Sequence, residues 1–174
     1  GNVDVHKTRR YRVLYTNIDQ FVNKRDDLSM TVANDKPDFI LLSEIIPKAQ
    51  VHPIPLATLS IPEYNLYLSF DPSANNLGSS GQRGVGIFTK VPIRATQSAF
   101  PTLTHVEQVW LQIPLQPPEQ LLVGCVYRSP SAHGPSSTKN LVELLNICSS
   151  RRNTQILIAG DVNFPQIDWV NSFS

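Results

Sequence analysis

Cysteine is scarce in this sequence, long apolar runs are absent, and neither sign of charge predominates. The two cysteines, Cys125 and Cys148, lie among apolar neighbours, a pattern typical of buried thiols rather than of a disulfide framework. We therefore expect an intracellular, reducing setting. No apolar run approaches the roughly 18 to 20 residues that span a bilayer, so we predict a soluble protein with no membrane partner.

The net charge of +1 gives no electrostatic indication of a nucleic-acid partner. Any nucleic acid would have to be bound by local basic groups, such as those in residues 7–12 or 151–152, and these could equally be solvated surface. The four histidines show no ligand spacing, which disfavours a zinc site. A chain of 174 residues suits one domain with a sizeable core.

Hydrophobic periodicity predicts an alternation of strands and helices. Strands are predicted over residues 11–17, 38–44, 64–70, 83–90, 107–113, 121–127 and 155–161, and helices over 24–34 and from 137 or 138 to about 150. The first strand–helix–strand unit predicts two strands in one sheet, which would place Asn17 and Glu44 at neighbouring positions on its edge. The pair of strands over 107–127 predicts an antiparallel hairpin.

The strand that begins at Gln155 ends at a glycine, Gly160, which Asp161 and Asn163 follow. Because Asp161 and Asn163 are two residues apart on extended chain, their side chains point to the same side. A carboxylate and a carboxamide in this arrangement suit a hydrolytic site, where one handles a proton and the other orients an oxygen. The same tract is also good turn chemistry, and taken alone that interpretation is the stronger.

Four separate predicted strands finish on polar side chains. These are Asn17 with Asp19, Glu44, Tyr127, and Asp161 with Asn163. Each has an ordinary explanation at the end of a strand, but those explanations are independent, so their joint occurrence is informative. We predict that the four strand ends meet in one acidic pocket able to hold a divalent cation.

These motifs, in this order, resemble the endonuclease/exonuclease/phosphatase superfamily, which includes exonuclease III-type apurinic endonucleases and neutral sphingomyelinases. The stretches that carry the resemblance are residues 15–19, 41–44, 84–87, 126–130 and 160–165. Residues 127–131 and 159–169 are most similar to the endonuclease domain encoded by non-LTR retrotransposons of the long interspersed type. The resemblance extends over nearly the whole chain.

The resemblance implies an α/β fold of the DNase I type, a four-layered sandwich of two mixed β-sheets flanked by helices. It implies phosphodiester hydrolysis with Mg²⁺ or Mn²⁺, and DNA as the substrate of a nicking endonuclease in a retrotransposon-derived, nuclear protein. Glu44 would then be the principal metal carboxylate, assisted by Asn17 and Asp19. The hard oxygen donors of these side chains independently suit Mg²⁺.

The resemblance also implies roles in catalysis for the other strand ends. Asp161 would position or deprotonate the attacking water or serve the leaving oxygen, Asn163 would hold a phosphate oxygen, and Tyr127 would stabilise the same phosphate. The family carries a further C-terminal portion with a Ser-Asp-His stretch, and no histidine here follows Ser-Asp. We therefore expect residues 1–174 to be a single domain, incomplete at its C-terminal end, whose open sheet edge favours homodimerisation or strand exchange.

Two other functions stay open on the sequence. A catalytically impaired scaffold could act as a nucleic-acid-binding or protein-interaction module. A phosphoesterase with the same chemistry could act on a phospholipid or an inositol phosphate. Substrate choice depends on loops that the sequence does not decode.

Overall fold

The computed structural model describes residues 10–78, 81–99, 102–103, 106–129 and 136–161. The elements in chain order are β1 (Val13–Asn17), α1 (Phe21–Asp35), β2 (Phe39–Ser43), a 3₁₀ turn (Leu56–Leu59), β3 (Tyr64–Leu68), β4 (Val85–Lys90), β5 (Thr96–Ser98), β6 (Glu107–Pro114), β7 (Gln120–Tyr127), α2 (Ser136–Ser150) and β8 (Thr154–Asp161). Neither helix in the described part of the chain has the length and apolar character that crossing a membrane requires.

The strands form two mixed sheets. The first has the order β1-β2-β4-β3, and the second has the order β5-β6-β7-β8. Strands β1 and β2 are parallel, which confirms the predicted strand–helix–strand unit, and Asn17 pairs with Ser43, the residue just before Glu44. Strands β6 and β7 form the predicted antiparallel hairpin, and β8 lies parallel to β7.

The two sheets pack face to face, and each is covered by a helix on its outer side. Alternate residues of β2 divide between the two faces of their sheet, so Leu41 packs between the sheets while Ile40 packs towards α1. On the second sheet, Trp110 and Leu122 form a cluster with Ile147 of α2. The layers are therefore helix, sheet, sheet and helix, as predicted.

All five residues of β2 are buried, which explains why its sequence is a continuous apolar run rather than an alternation. Two differences from the predicted elements have a physical reason. Helix α1 begins at Phe21 instead of Lys24, because the Phe21 N–H donates to the Ile45 carbonyl at 3.1 Å and no side chain caps the helix. Strand β5 was not predicted, since its residues are polar and show no apolar alternation.

The thiol of Cys125 lies in the core, as predicted, whereas the side chain of Cys148 lies outside the described residues. Burial raises the pKa of Cys125 to about 12, and the thiol donates to the Leu42 carbonyl at 3.5 Å. Because the thiolate is the nucleophile, we expect alkylation of Cys125 by iodoacetamide to be slower in the folded protein by roughly a thousandfold.

Mass spectrometry of a Cys148→Ser variant, with and without denaturant, measures this difference. Equal labelling rates in the two conditions would contradict a buried, protonated Cys125.

Candidate active site

Backbone hydrogen bonds beyond the strand ends hold three loops together at one end of the first sheet. The Gln20 N–H donates to the Glu44 carbonyl at 2.9 Å, which joins the loop after β1 to the loop after β2. The Ile46 N–H donates to the Arg83 carbonyl at 2.7 Å, which joins the loop after β2 to the segment before β4. As a result, the side chains of Asp19, Glu44 and Arg83 meet.

A network of charged and hydrogen-bonded side chains occupies this meeting point. One guanidinium nitrogen of Arg83, Nη2, lies 2.7 Å from Asp19 Oδ1, and the other, Nη1, lies 3.1 Å from Glu44 Oε2. The Arg83 Nε donates to the Ile46 carbonyl at 2.9 Å. The hydroxyl of Tyr127 donates to the second Glu44 oxygen, Oε1, at 2.9 Å. Both carboxylate oxygens of Glu44 therefore have a donor.

The pKa shifts in this network follow from its contacts. The hydrogen bond from Arg83 lowers the pKa of Asp19, and the positive charges of Arg83 and Lys48 act in the same direction. Burial raises the pKa of Tyr127, and its hydrogen bond to Glu44 raises it further. Tyr127 is consequently a neutral hydrogen-bond donor throughout the physiological pH range.

Glu107, from the second sheet, fixes the backbone that carries Arg83. Its carboxylate accepts the Arg83 N–H at 3.1 Å and the Gly84 N–H at 2.8 Å. Burial raises the pKa of Glu107, and the hydrogen bonds to those two amides oppose the shift. Gly84 has φ +73°, and a Cβ there would lie 2.5 Å from Cε1 of Phe70. The turn therefore requires glycine.

Asp19 and Glu44 have left-handed backbone conformations, with φ values of +40° and +56°. This region is unfavourable for residues other than glycine, by about 1 to 3 kcal/mol each, and persists where surrounding contacts over-determine the conformation. Here the inter-loop hydrogen bonds and the ion pairs with Arg83 supply those contacts. The strained positions coincide with the carboxylates of the network.

Asp161 lies at the same end of the sandwich, on the neighbouring strand of the second sheet. It pairs in register with Tyr127 across the parallel strands β7 and β8, so the two side chains point to the same side. Burial raises the pKa of Tyr15, and the charges of Asp161 and Glu44 add to this shift.

Two predicted site residues remain, Asn17 and Asn163. Asn17 is exposed, and its Oδ1 accepts the Asp19 N–H at 3.2 Å, so its amide holds the loop after β1. Asn163 lies outside the described residues.

The sequence analysis assigned no role to Arg83 or Glu107. For Arg83, the available signal was its position directly before the Gly-Val-Gly-Ile stretch of residues 84–87. Nothing in the sequence distinguishes Glu107 from a solvated residue at the start of an alternating strand.

A cavity of about 450 Å³ opens over the network. Its lining residues are Asp19, Glu44, Lys48, Ala49, Gly81, Gln82, Arg83, Tyr127 and Ser129. A larger hollow of about 610 Å³ runs along α2 and contains none of these residues, so its size does not bear on the chemistry of the site. Among the described residues, no three His, Cys, Asp or Glu side chains are grouped closely enough to hold a metal ion by themselves.

Comparison with known proteins agrees with this fold. The chain is similar to the structure of a humanized D. rerio TDP2 carrying 14 mutations, with 18% identity and a TM-score of 0.61 over 90% of this chain and 67% of that one. For D. rerio TDP2 complexed with single-strand DNA product, the identity is 19% and the TM-score is 0.60, over 88% of this chain and 60% of that one.

The chain is also similar to the endonuclease domain of TRAS1, a telomere-specific non-LTR retrotransposon, with 17% identity and a TM-score of 0.59 over 88% of this chain and 60% of that one. The TM-scores of these three structures show a shared fold. No curated protein sequence matches the chain. The sequence model of the Endonuclease/Exonuclease/phosphatase family matches residues 11–173. The chain therefore belongs to the endonuclease/exonuclease/phosphatase family.

Proposed function

We propose that the chain hydrolyses phosphodiester bonds in DNA with the help of a divalent metal ion, as the nicking endonuclease domain of a retrotransposon-derived protein. One observation carries the proposal. In a chain of this family, Asp19, Glu44 and Tyr127 line one cavity, and Asp161 pairs with Tyr127 at its side. The likeness to the TRAS1 endonuclease domain and to TDP2 crystallised with a DNA product supports DNA as the substrate class.

The donor atoms at the site fit a hard divalent cation such as Mg²⁺ or Mn²⁺. Glu44 and Asp19 provide carboxylate oxygens. Asn17, two residues before Asp19, provides an amide oxygen. Mg²⁺ retains several waters and needs only one or two protein carboxylates in addition to substrate oxygens, so a larger ligand cluster is not required. When bound, such an ion supplies Lewis-acid stabilisation of the charge that develops on the phosphate.

The other residues of the proposed site act directly on the substrate. Asp161 positions or deprotonates the attacking water, or serves the leaving oxygen, which is the work of a general acid–base residue. Tyr127, held neutral by its raised pKa, donates to Glu44 in the free protein and would turn its one hydroxyl proton to a phosphate oxygen of bound DNA. We assign the holding of a second phosphate oxygen to Asn163.

Nicking of supercoiled plasmid tests the proposal. We expect conversion to the open circle with Mg²⁺ and none with EDTA, and we expect Asp161→Asn to slow it by roughly a hundredfold or more, since general acid–base groups contribute on that order. Asp26→Asn, on the exposed side of α1, is the matched control and should nick like the wild type. Nicking that survives EDTA or Asp161→Asn would contradict the assigned chemistry.

The ion pairs of Arg83 favour a second candidate function. Because both proposed metal carboxylates already contact a guanidinium, the chain could be a nucleic-acid-binding module that does not cleave. Fluorescence anisotropy with labelled duplex DNA separates the two functions. Mg²⁺-independent binding without nicking would establish the module, whereas binding followed by nicking would establish the nuclease.

We also propose homodimerisation through the edge of the second sheet. Among the described strands, β8 is the outer strand of that sheet, and its far side has no partner strand there. Sedimentation velocity measures the oligomeric state.

We further propose a nuclear location. Imaging of a fluorescent fusion of the chain tests this location.

A further inference from the structure

Arg83 is a cation fixed by the protein between the two carboxylates of the candidate metal site. Its side chain is only 8% exposed, and its guanidinium contacts Asp19 at 2.7 Å and Glu44 at 3.1 Å. A guanidinium with two carboxylate partners is fully compensated in charge, and its contacts with them are charge-assisted hydrogen bonds. One guanidinium against two carboxylates leaves a net charge of −1, so Arg83 neutralises half of the negative charge that would attract a metal ion.

We propose that Arg83 and a divalent cation are alternative partners of Glu44 and Asp19, so that Arg83 sets the affinity of the site for metal. The inference rests on the metal-dependent function proposed above and concerns how Arg83 limits the binding of the metal ion. A divalent ion placed against Glu44 while Arg83 stays in position would lie within a few ångströms of a like charge. At such distances in a partly buried site the repulsion is large, so both cations cannot share the carboxylates.

The geometry allows the guanidinium to leave while its loop stays in place. Glu107 holds the backbone amides of Arg83 and Gly84, so the loop before β4 is anchored independently of the guanidinium. Asp19 is 56% exposed and opens onto the cavity of about 450 Å³, which gives the arginine side chain room to rotate. The exchange thus needs a change of side-chain torsions and the loss of the Arg83 Nε hydrogen bond to the Ile46 carbonyl, with the loop backbone in place.

The two carboxylate oxygens of Glu44 have different partners, which identifies the oxygen that Arg83 would release to the metal ion. Tyr127 donates to Oε1 at 2.9 Å, and Arg83 contacts Oε2 at 3.1 Å. Departure of Arg83 releases Oε2 and leaves the tyrosine bond in place, so Glu44 keeps its orientation. Metal binding therefore competes with the Arg83 ion pairs and not with the Tyr127 hydrogen bond.

Binding of Mn²⁺ without DNA tests the competition, with the electron paramagnetic resonance signal of the unbound ion as the readout. We expect Arg83→Met, which keeps the length of the stem but removes the charge, to bind Mn²⁺ roughly tenfold or more tightly than the wild type. Arg83→Lys should lie between them, because it keeps a charge but loses the two-pronged contact. Arg94→Met, at an exposed position between β4 and β5, is the matched control and should bind like the wild type.

Two further measurements exclude a purely structural effect. In EDTA, Arg83→Met should melt below the wild type, and Mn²⁺ should raise its melting temperature more than it raises that of the wild type, because ligand binding stabilises the folded state. Adding Glu44→Gln to Arg83→Met should abolish the gain in affinity. If Arg83→Met does not fold, Arg83→Lys carries the test.

The results distinguish failure of this inference from failure of the proposed function. Equal or weaker Mn²⁺ binding by Arg83→Met and Arg83→Lys than by a wild type that nicks DNA overturns the competition and leaves the nuclease standing. Tighter binding by the variants supports the competition whether or not the wild type nicks DNA. Absence of Mn²⁺ binding in every variant, together with absence of nicking, overturns both proposals.

Discussion

Glu44→Gln is expected to lower Mg²⁺-dependent nicking by at least ~10²-fold, the order seen when one group that stabilises transition-state charge is removed. Gln keeps the size of the side chain and can still accept the hydrogen bond from Tyr127, but it removes the negative charge. The proposed site depends on that charge, since a neutral amide is a much weaker ligand for a hard divalent cation.

Nicking rates at several Mg²⁺ concentrations, with thermal melting in parallel, would measure this effect. Loss of rate at an unchanged melting temperature would place the defect in the chemistry. Glu63→Gln is the matched control, because Glu63 is exposed in the turn before β3, at the opposite end of the first sheet. Nicking by Glu44→Gln at the wild-type rate would rule out Glu44 as the principal metal carboxylate.

Gly160→Ala is expected to lower the free energy of unfolding by about 3 kcal/mol or more, the combined effect of overpacking and of a strained backbone. A Cβ at this position would lie 1.8 Å from the carbonyl oxygen of Val126, the residue that pairs with Gly160 on β7. Gly160 also has φ +155°, which side-chain-bearing residues rarely adopt. The side chain cannot be accommodated unless β8 separates from β7.

The separation would fall beside the candidate site. The Asp161 carbonyl accepts the Arg128 N–H at 2.8 Å, and this bond closes the β7–β8 ladder. We expect Gly160→Ala to displace Asp161 and to reduce nicking as well as stability. Urea unfolding measures the stability change, and Gln155→Ala, exposed on the same strand, is the control, with an expected change within about 0.5 kcal/mol. Wild-type stability in Gly160→Ala would contradict the close backbone approach.

Arg83 changes the interpretation of the acidic residues around it. Without its ion pairs, Asp19 and Glu44 would form an open acidic pocket, as the sequence predicts. With them, the same pocket contains carboxylates, a guanidinium and a tyrosine hydroxyl in one network. The affinity for metal then depends on the difference between two sets of contacts, because each contact that a carboxylate gains with the metal ion replaces one that it had with Arg83.

The sequence by itself determined the main strands and helices of this fold, and the resemblance to a known family implied their arrangement in four layers. The buried runs of β2 and β7 and the alternation over β6 are local patterns that follow from the two-residue period of strands and from burial on one face or two. For the same reason, the polar residues that follow those runs could be recognised as strand ends. The parallel pairing of β1 with β2 follows from the helix between them, which requires a crossover.

Only the tertiary structure decided which side chains meet at those ends. Arg83 reaches Asp19 across 64 residues of chain, and Glu107 reaches the amide of Gly84 from the other sheet. Such contacts depend on how two sheets pack and on the path of loops with left-handed residues. No period in the sequence encodes either, because periodicity records which face a residue occupies and not which residue of another element lies opposite.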